Sequence, residues 1–206
     1  MEPAQSRDRV SFSKISDIEQ PEEIETTTSA PDEKRAFDSV QSRIHEIQEK
    51  IKKQKMIVAL LGAGGQGLAE RRAIASELRN VGFNVVVPED ALEPGLSPSL
   101  VERDLLSWPE LDLAFVNVES WGSASEFVQF HGERSIAPKL RVIVGREHHP
   151  LYGSSTGYLA DVYLTHDAVF GHVYMHGTGR DSMPSASEII QKVAERFRQW
   201  KAINSN

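Results

Sequence analysis

Glu126 and Asp104 are the side chains best placed to do chemistry in this chain. Glu126 ends the run Gly122-Ser123-Ala124-Ser125-Glu126, which follows the apolar stretch Leu113-Ala114-Phe115-Val116-Asn117-Val118. A short apolar run of this kind reads as a strand buried on both faces, and the small-residue turn after it opens a helix with Glu126 in its first turn. Ligands of open α/β sheets bind outside the carboxyl ends of the strands, so Glu126 stands where a reacting atom would be held. Asp104 lies upstream, on the helical segment Glu102-Arg103-Asp104-Leu105-Leu106-Ser107-Trp108, and is expected to face the same crevice. Two carboxylates beside a small-residue turn suit displacement at a sugar anomeric carbon, where one attacks and the other handles protons.

Each candidate also has a structural explanation. Ser123-x-x-Glu126 has the form of a capping box, in which Ser and Glu satisfy backbone amides and need no further role. Ser123 and Ser125 are placed to bind a hydroxyl or phosphate, or simply to cap. Asp112 opens the Leu113 strand, where an acid either contacts substrate or caps a sheet end. Trp121 is available to stack on a base, though a Trp beside a turn needs no ligand.

A second turn, Gly62-Ala63-Gly64-Gly65-Gln66-Gly67, joins the apolar run Met56-Ile57-Val58-Ala59-Leu60-Leu61 to an amphipathic helix spanning Leu68 to Val81. Strand-to-helix turns present free amides and the positive end of a helix dipole to an anion. Gly62, Gly64, Gly65 and Gly67 let the backbone approach a phosphate closely. The spacing G-x-G-G-x-G is not the dinucleotide fingerprint, and no Gly-Lys-Ser/Thr follows to make a P-loop. Arg71 or Arg72, expected in the first helical turn, would supply a cation.

The remaining elements build the scaffold. Phe83 to Val87 reads as a second strand, Leu140 to Gly145 as a fourth and Gly171 to His176 as a last one; Tyr158 to Tyr163 is ambiguous. Ser185 to Trp200 is a closing helix with Ile189, Val193 and Phe197 on one face. Strands alternating with helices predict a doubly wound, mostly parallel five-stranded sheet of the Rossmann or flavodoxin-like type. Ahead of it, residues 1–32 read as a polar, acidic, disordered tail, relieved only by the apolar patch Val10 to Ile15. Residues 33–55 form an amphipathic helix in which Phe37, Val40, Ile44, Ile47 and Ile51 recur at alternating spacings of three and four. That stripe packs on its own domain or pairs in a homodimer. The α/β domain runs from 56 to 206.

Composition excludes several classes. The chain has 206 residues, no cysteine and a net charge of −7. Disulfides, thiolate catalysis and cysteine-bound metal centres are therefore out. With no basic cluster beyond Lys50 to Lys55, extended nucleic-acid binding is not expected. No secretory signal or membrane-spanning run is seen, so a cytoplasmic protein is expected. The histidines 148, 149, 166, 172 and 176 match no helical metal-binding pair, and no metal site is expected from them.

The residues from about Met56 to Arg146 resemble the nucleoside 2-deoxyribosyltransferase-like family, most closely its nucleotide N-glycosidase branch. The resemblance rests on Asp104-Leu105-Leu106-Ser107-Trp108, on Asp112 at the start of a strand, and on the Gly/Ser turn ending in Glu126. Trp108 stands a place later than in the family pattern, and the turn before Glu126 is about two residues shorter. The resemblance implies that Glu126 attacks C1′ of a (deoxy)ribose and that Asp104 orients the sugar or assists proton transfer. It further implies that the 62–67 turn holds the sugar-phosphate end; the Tyr and Arg that the branch carries there are absent from the matching places. The implied partners are a nucleoside or nucleotide substrate and further copies of this chain, the region 145–157 completing a neighbouring subunit's pocket. No cofactor is needed for ester formation and breakdown. Two rival readings stand beside it, a TIR-like NAD-cleaving enzyme and a non-catalytic nucleotide-sensing module.

Overall fold

A computed structural model of the chain describes residues 30–93, 95–177 and 183–204. The tail predicted over 1–32 lies outside them, apart from its last three positions. The chain divides into two units, Met1–Arg43 and Ile44–Asn206. Helix α1 (Ala30–Lys53) begins in the first and ends in the second. Asp32 and Glu33 in its first turn and Lys50, Lys52 and Lys53 in its last complement the helix dipole. Along it Phe37, Val40 and Ile44 are exposed, while Ile47 and Ile51 are partly covered.

Five parallel strands, β1 (Ile57–Gly62), β2 (Asn84–Val86), β3 (Leu113–Val118), β4 (Leu140–Gly145) and β5 (Val173–His176), form one sheet in the order β2-β1-β3-β4-β5. The doubly wound α/β fold expected from the strand–helix alternation is the fold observed. Alternate strand residues divide between two cores, as the period of two requires. Val58, Leu60 and Phe115 pack with Ile74 and Leu78 of α2 (Gln66–Asn80) and with Ile189, Ile190 and Ala194 of α7 (Ala186–Asn204). Ala59, Leu61 and Val116 face Leu106 of α4 (Pro98–Ser107), Phe127 and Phe130 of α5 (Trp121–Phe130) and Tyr163 of α6 (Tyr158–Phe170). A single turn, α3 (Pro88–Ala91), follows β2, started by Pro88 at its first position.

The ambiguous stretch resolves as one helix, α6, whose end is set by Gly171 in the left-handed conformation (φ 67°). The strand after it begins at Val173, two residues later than expected. The segment 145–157 is tied down at Glu147: the Glu147 carbonyl accepts the amides of Ser154 (3.2 Å) and Ser155 (3.1 Å), and His149 beside it is buried.

One imidazole, His166, is buried against the second core, and another, His172, is half-buried near it. His166 packs edge-on against Phe127, and burial drives its pKa down to about 4. His172, whose Nδ1 lies 2.7 Å from an Arg141 guanidinium nitrogen, is lowered to about 4 by burial and by that cation. Both are neutral in the folded chain and gain protons near pH 6.5 once unfolded, so their stabilisation is complete above about 6.5 and is lost as pH falls toward 4. The variant His166→Phe should therefore gain Tm relative to wild type as pH is lowered from 6.5 to 4, measured by circular dichroism melts. A difference in Tm that does not change with pH would contradict the buried neutral imidazole.

Candidate functional site

The sheet order reverses between β1 and β3, so a crevice opens where their carboxyl ends diverge, at Gly62 opposite Asn117. Glu126 projects from α5, the helix that follows β3. Its start is set by Ser120, whose side chain accepts the Ser123 amide (3.2 Å), while Ser123 Oγ accepts the Ser120 amide (3.1 Å). The capping box is thus Ser120–Ser123, not Ser123–Glu126. Glu126 falls in the second turn rather than the first and has no capping duty. Instead its Oε2 is sealed from solvent without a hydrogen-bond partner.

Three other charged residues surround it electrostatically, each from a different helix. Arg71 of α2, 4% exposed, reaches the end of β1, where its guanidinium donates to Leu60 O (3.3 Å) and Ala63 O (2.8 Å). It also forms a bidentate pair with Glu89 of α3, at 2.9 and 2.5 Å. Glu102 of α4 is only 7% exposed. Burial first, and then the nearby charge of Glu89, raise the Glu102 pKa. Glu126 is pushed up to about 7 by burial and then by Glu102, with Arg71 opposing and Glu89 adding. A carboxylate titrating near neutrality on the helix that leaves the switch point has the properties expected of a functional acid.

The two glycines with positive φ nearest this crevice shape the turn. Gly62 (φ 151°) would place a Cβ 3.0 Å from Asn117 O and 3.6 Å from the Arg71 side chain, so only glycine lets β1, β3 and Arg71 meet here. Gly65 (φ 59°) is the residue that starts α2. Gly64 and Gly65 are exposed, and Gly67 is half-buried with its amide on Gly64 O (3.2 Å). Because α2 begins at Gln66, Arg71 and Arg72 lie in its second turn rather than its first. Arg72 is exposed and paired with Asp90.

The other sequence candidates go elsewhere. Asp104 is exposed on α4 and is not among the groups acting on Glu126; its carbonyl accepts from Ser107 Oγ (2.8 Å). Asp112 lies at the opposite, amino-terminal edge of the sheet. There it accepts the Ile57 amide (2.9 Å) and pairs with Lys201 of α7 (2.5 Å), a structural tie between β1, β3 and the last helix. Ser123 is buried in the cap, and exposed Ser125 donates to Trp121 O (2.8 Å). Glu102 is the residue that the sequence reading passed over. Val101, Glu102, Leu105 and Leu106 are the more covered positions of α4, and Glu102 occupies an otherwise apolar stripe while Asp104 sits on the opposite face. An acid in an apolar stripe is the signal that marks it.

On the other flank of α5 a cavity of about 440 Å³ is lined by Glu119, Trp121, Ala124, Glu147, His148 and His176, among others. Trp121, 88% exposed, forms its rim. A larger cavity of about 960 Å³ lies away from these acids, between the end of α2 and α7. Among the described residues no group of three or more His, Asp or Glu could hold a metal ion, and no helix is long and apolar enough to cross a membrane.

No protein-family model matches the chain, and no curated protein sequence matches it significantly.

The raised pKa of Glu126 has a consequence for stability. The folded chain keeps this proton between the ordinary carboxylate value and about 7, so the stabilisation is complete below about 4.5 and is lost as pH rises through 7. Glu126→Gln, which cannot ionise, should melt higher than wild type at pH 8, with the advantage shrinking toward pH 5. An advantage that is equal at both pH values would show that Glu126 is not buried against charge.

Proposed function

We propose that the chain cleaves, or transfers across, the N-glycosidic bond of a (deoxy)nucleoside or nucleotide, with Glu126 as nucleophile. The observation that carries this reading is a half-buried carboxylate with one oxygen unpartnered, beside a second buried acid and at the switch point of a doubly wound sheet. In the first step a Glu126 oxygen bonds to C1′ and the C1′–N bond breaks, its electron pair passing to the base nitrogen. A proton from Glu102 neutralises the departing base. In the second step water attacks C1′ of the glycosyl ester, its proton goes to Glu102, and Glu126 leaves as carboxylate. A second base in place of water makes the reaction a transfer. The role that the family resemblance assigns to Asp104 falls here to Glu102, because Glu102 is the acid whose charge acts most strongly on Glu126 and, unlike Glu89, it is not paired with Arg71.

Released base, quantified by chromatography from a panel of nucleosides and nucleotides, tests this directly. Wild type should release base, and Glu126→Gln should be slower by a factor on the order of 10³ or more, as expected for loss of a nucleophile. Attack needs the ionised form, so kcat/KM should fall as pH drops below about 7 rather than below the usual carboxylate range. Equal release by the two proteins would remove Glu126 from the mechanism.

The expectation of a homo-oligomer rests on α1. Its exposed residues Phe37, Val40 and Ile44 continue through Ile47 and Ile51 as an a/d stripe that suits a second copy of the same helix. Light scattering of the full chain should give a dimer or larger, and Ile44→Asp should reduce it to the monomer mass. A monomeric wild type would remove this part of the reading.

A further inference from the structure

The charges around Glu126 leave little room for a phosphate. Arg71 directs four of its five N–H groups at Glu89 and at the Leu60 and Ala63 carbonyls, and its fifth, on Nε, is buried without an acceptor. Its side chain is 5% exposed, so a ligand phosphate would have to displace Glu89 to reach it. Arg72, the next cation on α2, is taken by Asp90. The glycine turn offers no better cradle. A Cβ at Gly67 would lie 3.7 Å from Glu119 Oε2, so a carboxylate already reaches the first turn of α2, where amides would otherwise attract an anion. Arg146 belongs to the end of β4, beside Glu147 and Tyr152, and not to this turn. Independently of these pairings, Glu126 Oε2 is buried without a hydrogen-bond partner, and Glu102 beside it in the charge balance is more than nine-tenths buried.

We infer that the site takes unphosphorylated N-glycosides, with preference for those whose base is cationic, and discriminates against 5′-phosphates. This rests on the proposed glycosidic reaction. Arg71 is matched by Glu89 and Arg72 by Asp90, so neither is left to offset an ionised Glu126 or the nearby Glu119, and the field favours a positive ligand and repels a dianion. The chemistry balances without an added proton. When a Glu126 oxygen bonds to C1′ of a pyridinium riboside, the pair of electrons from the broken C1′–N bond neutralises the ring nitrogen, and a neutral pyridine leaves. Water then releases the ribose from the ester.

The test compares nicotinamide riboside, nicotinamide mononucleotide, inosine and inosine 5′-monophosphate on the full chain, as kcat/KM and as Kd by calorimetry. Nicotinamide riboside should exceed its 5′-phosphate by at least about tenfold in both readouts, with the ratio shrinking at high salt as the charges are screened. It should also exceed inosine, and Glu119→Gln should narrow the gap between riboside and mononucleotide. A mononucleotide that binds or reacts as well as its riboside would overturn the inference while leaving the glycosidic reaction standing. Selective binding of the cationic riboside with no base released would uphold the charge selection and remove the reaction. Neither binding nor turnover of any of the four would overturn both.

Discussion

The enclosed guanidinium of Arg71 is the interaction on which the site depends. It joins the end of β1, through Leu60 and Ala63, to α3, through Glu89, while its own Cα is anchored in α2. A cation this far out of water is tolerated only with its charge paired and its N–H groups directed at acceptors. Removing one partner of a fully buried pair costs about 3–5 kcal/mol, and less where, as with Glu89, one partner is about a third exposed. The consequence reaches Glu126. Among the described residues Arg71 is the one cation that favours its ionised form, and Glu89 offsets part of that help, so burial and Glu102 win and the carboxyl titrates near neutrality.

A second constraint is the start of α5. The reciprocal bonds between Ser120 and Ser123 set the first turn, and from that start the helix carries Ser123 and Phe127 into the core with Glu126 on the adjoining face. Had the helix begun three residues later, Glu126 would be a capping residue whose carboxylate is spent on backbone amides. The register of one cap therefore separates a structural glutamate from an unpartnered one.

Much of the fold was legible in the chain. Leu113 to Val118 and Leu140 to Gly145 match their observed strands, because mostly apolar runs of this length, each with a single polar residue, fit a strand buried on both faces. Helix starts were less legible. α2 opens on Gln66-Gly67 and α5 on Trp121-Gly122, pairs that carry no helical apolar periodicity, and both helices begin earlier than the periodicity indicates. Asp112 shows the limit of position along the chain as a guide: an acid at a strand start lies at the end of the sheet far from the crevice, and a lysine from the last helix meets it there.

The sequence by itself determined the parallel α/β architecture, the absence of cysteine chemistry, and the presence of an acid just after the central strand, since these follow from composition and periodicity. It could not determine which second acid accompanies Glu126. Asp104 and Glu102 are two residues apart on one helix, and a separation of two turns side chains to nearly opposite faces. Only packing of α4 against the sheet decides which of them is buried. Likewise, the pairing of Arg71 with Glu89 depends on helices brought together by the strand order β2-β1-β3, and no local pattern encodes that meeting. The electrostatics of the site are therefore a tertiary property, because charge–charge energies depend on separation and burial and not on distance along the chain.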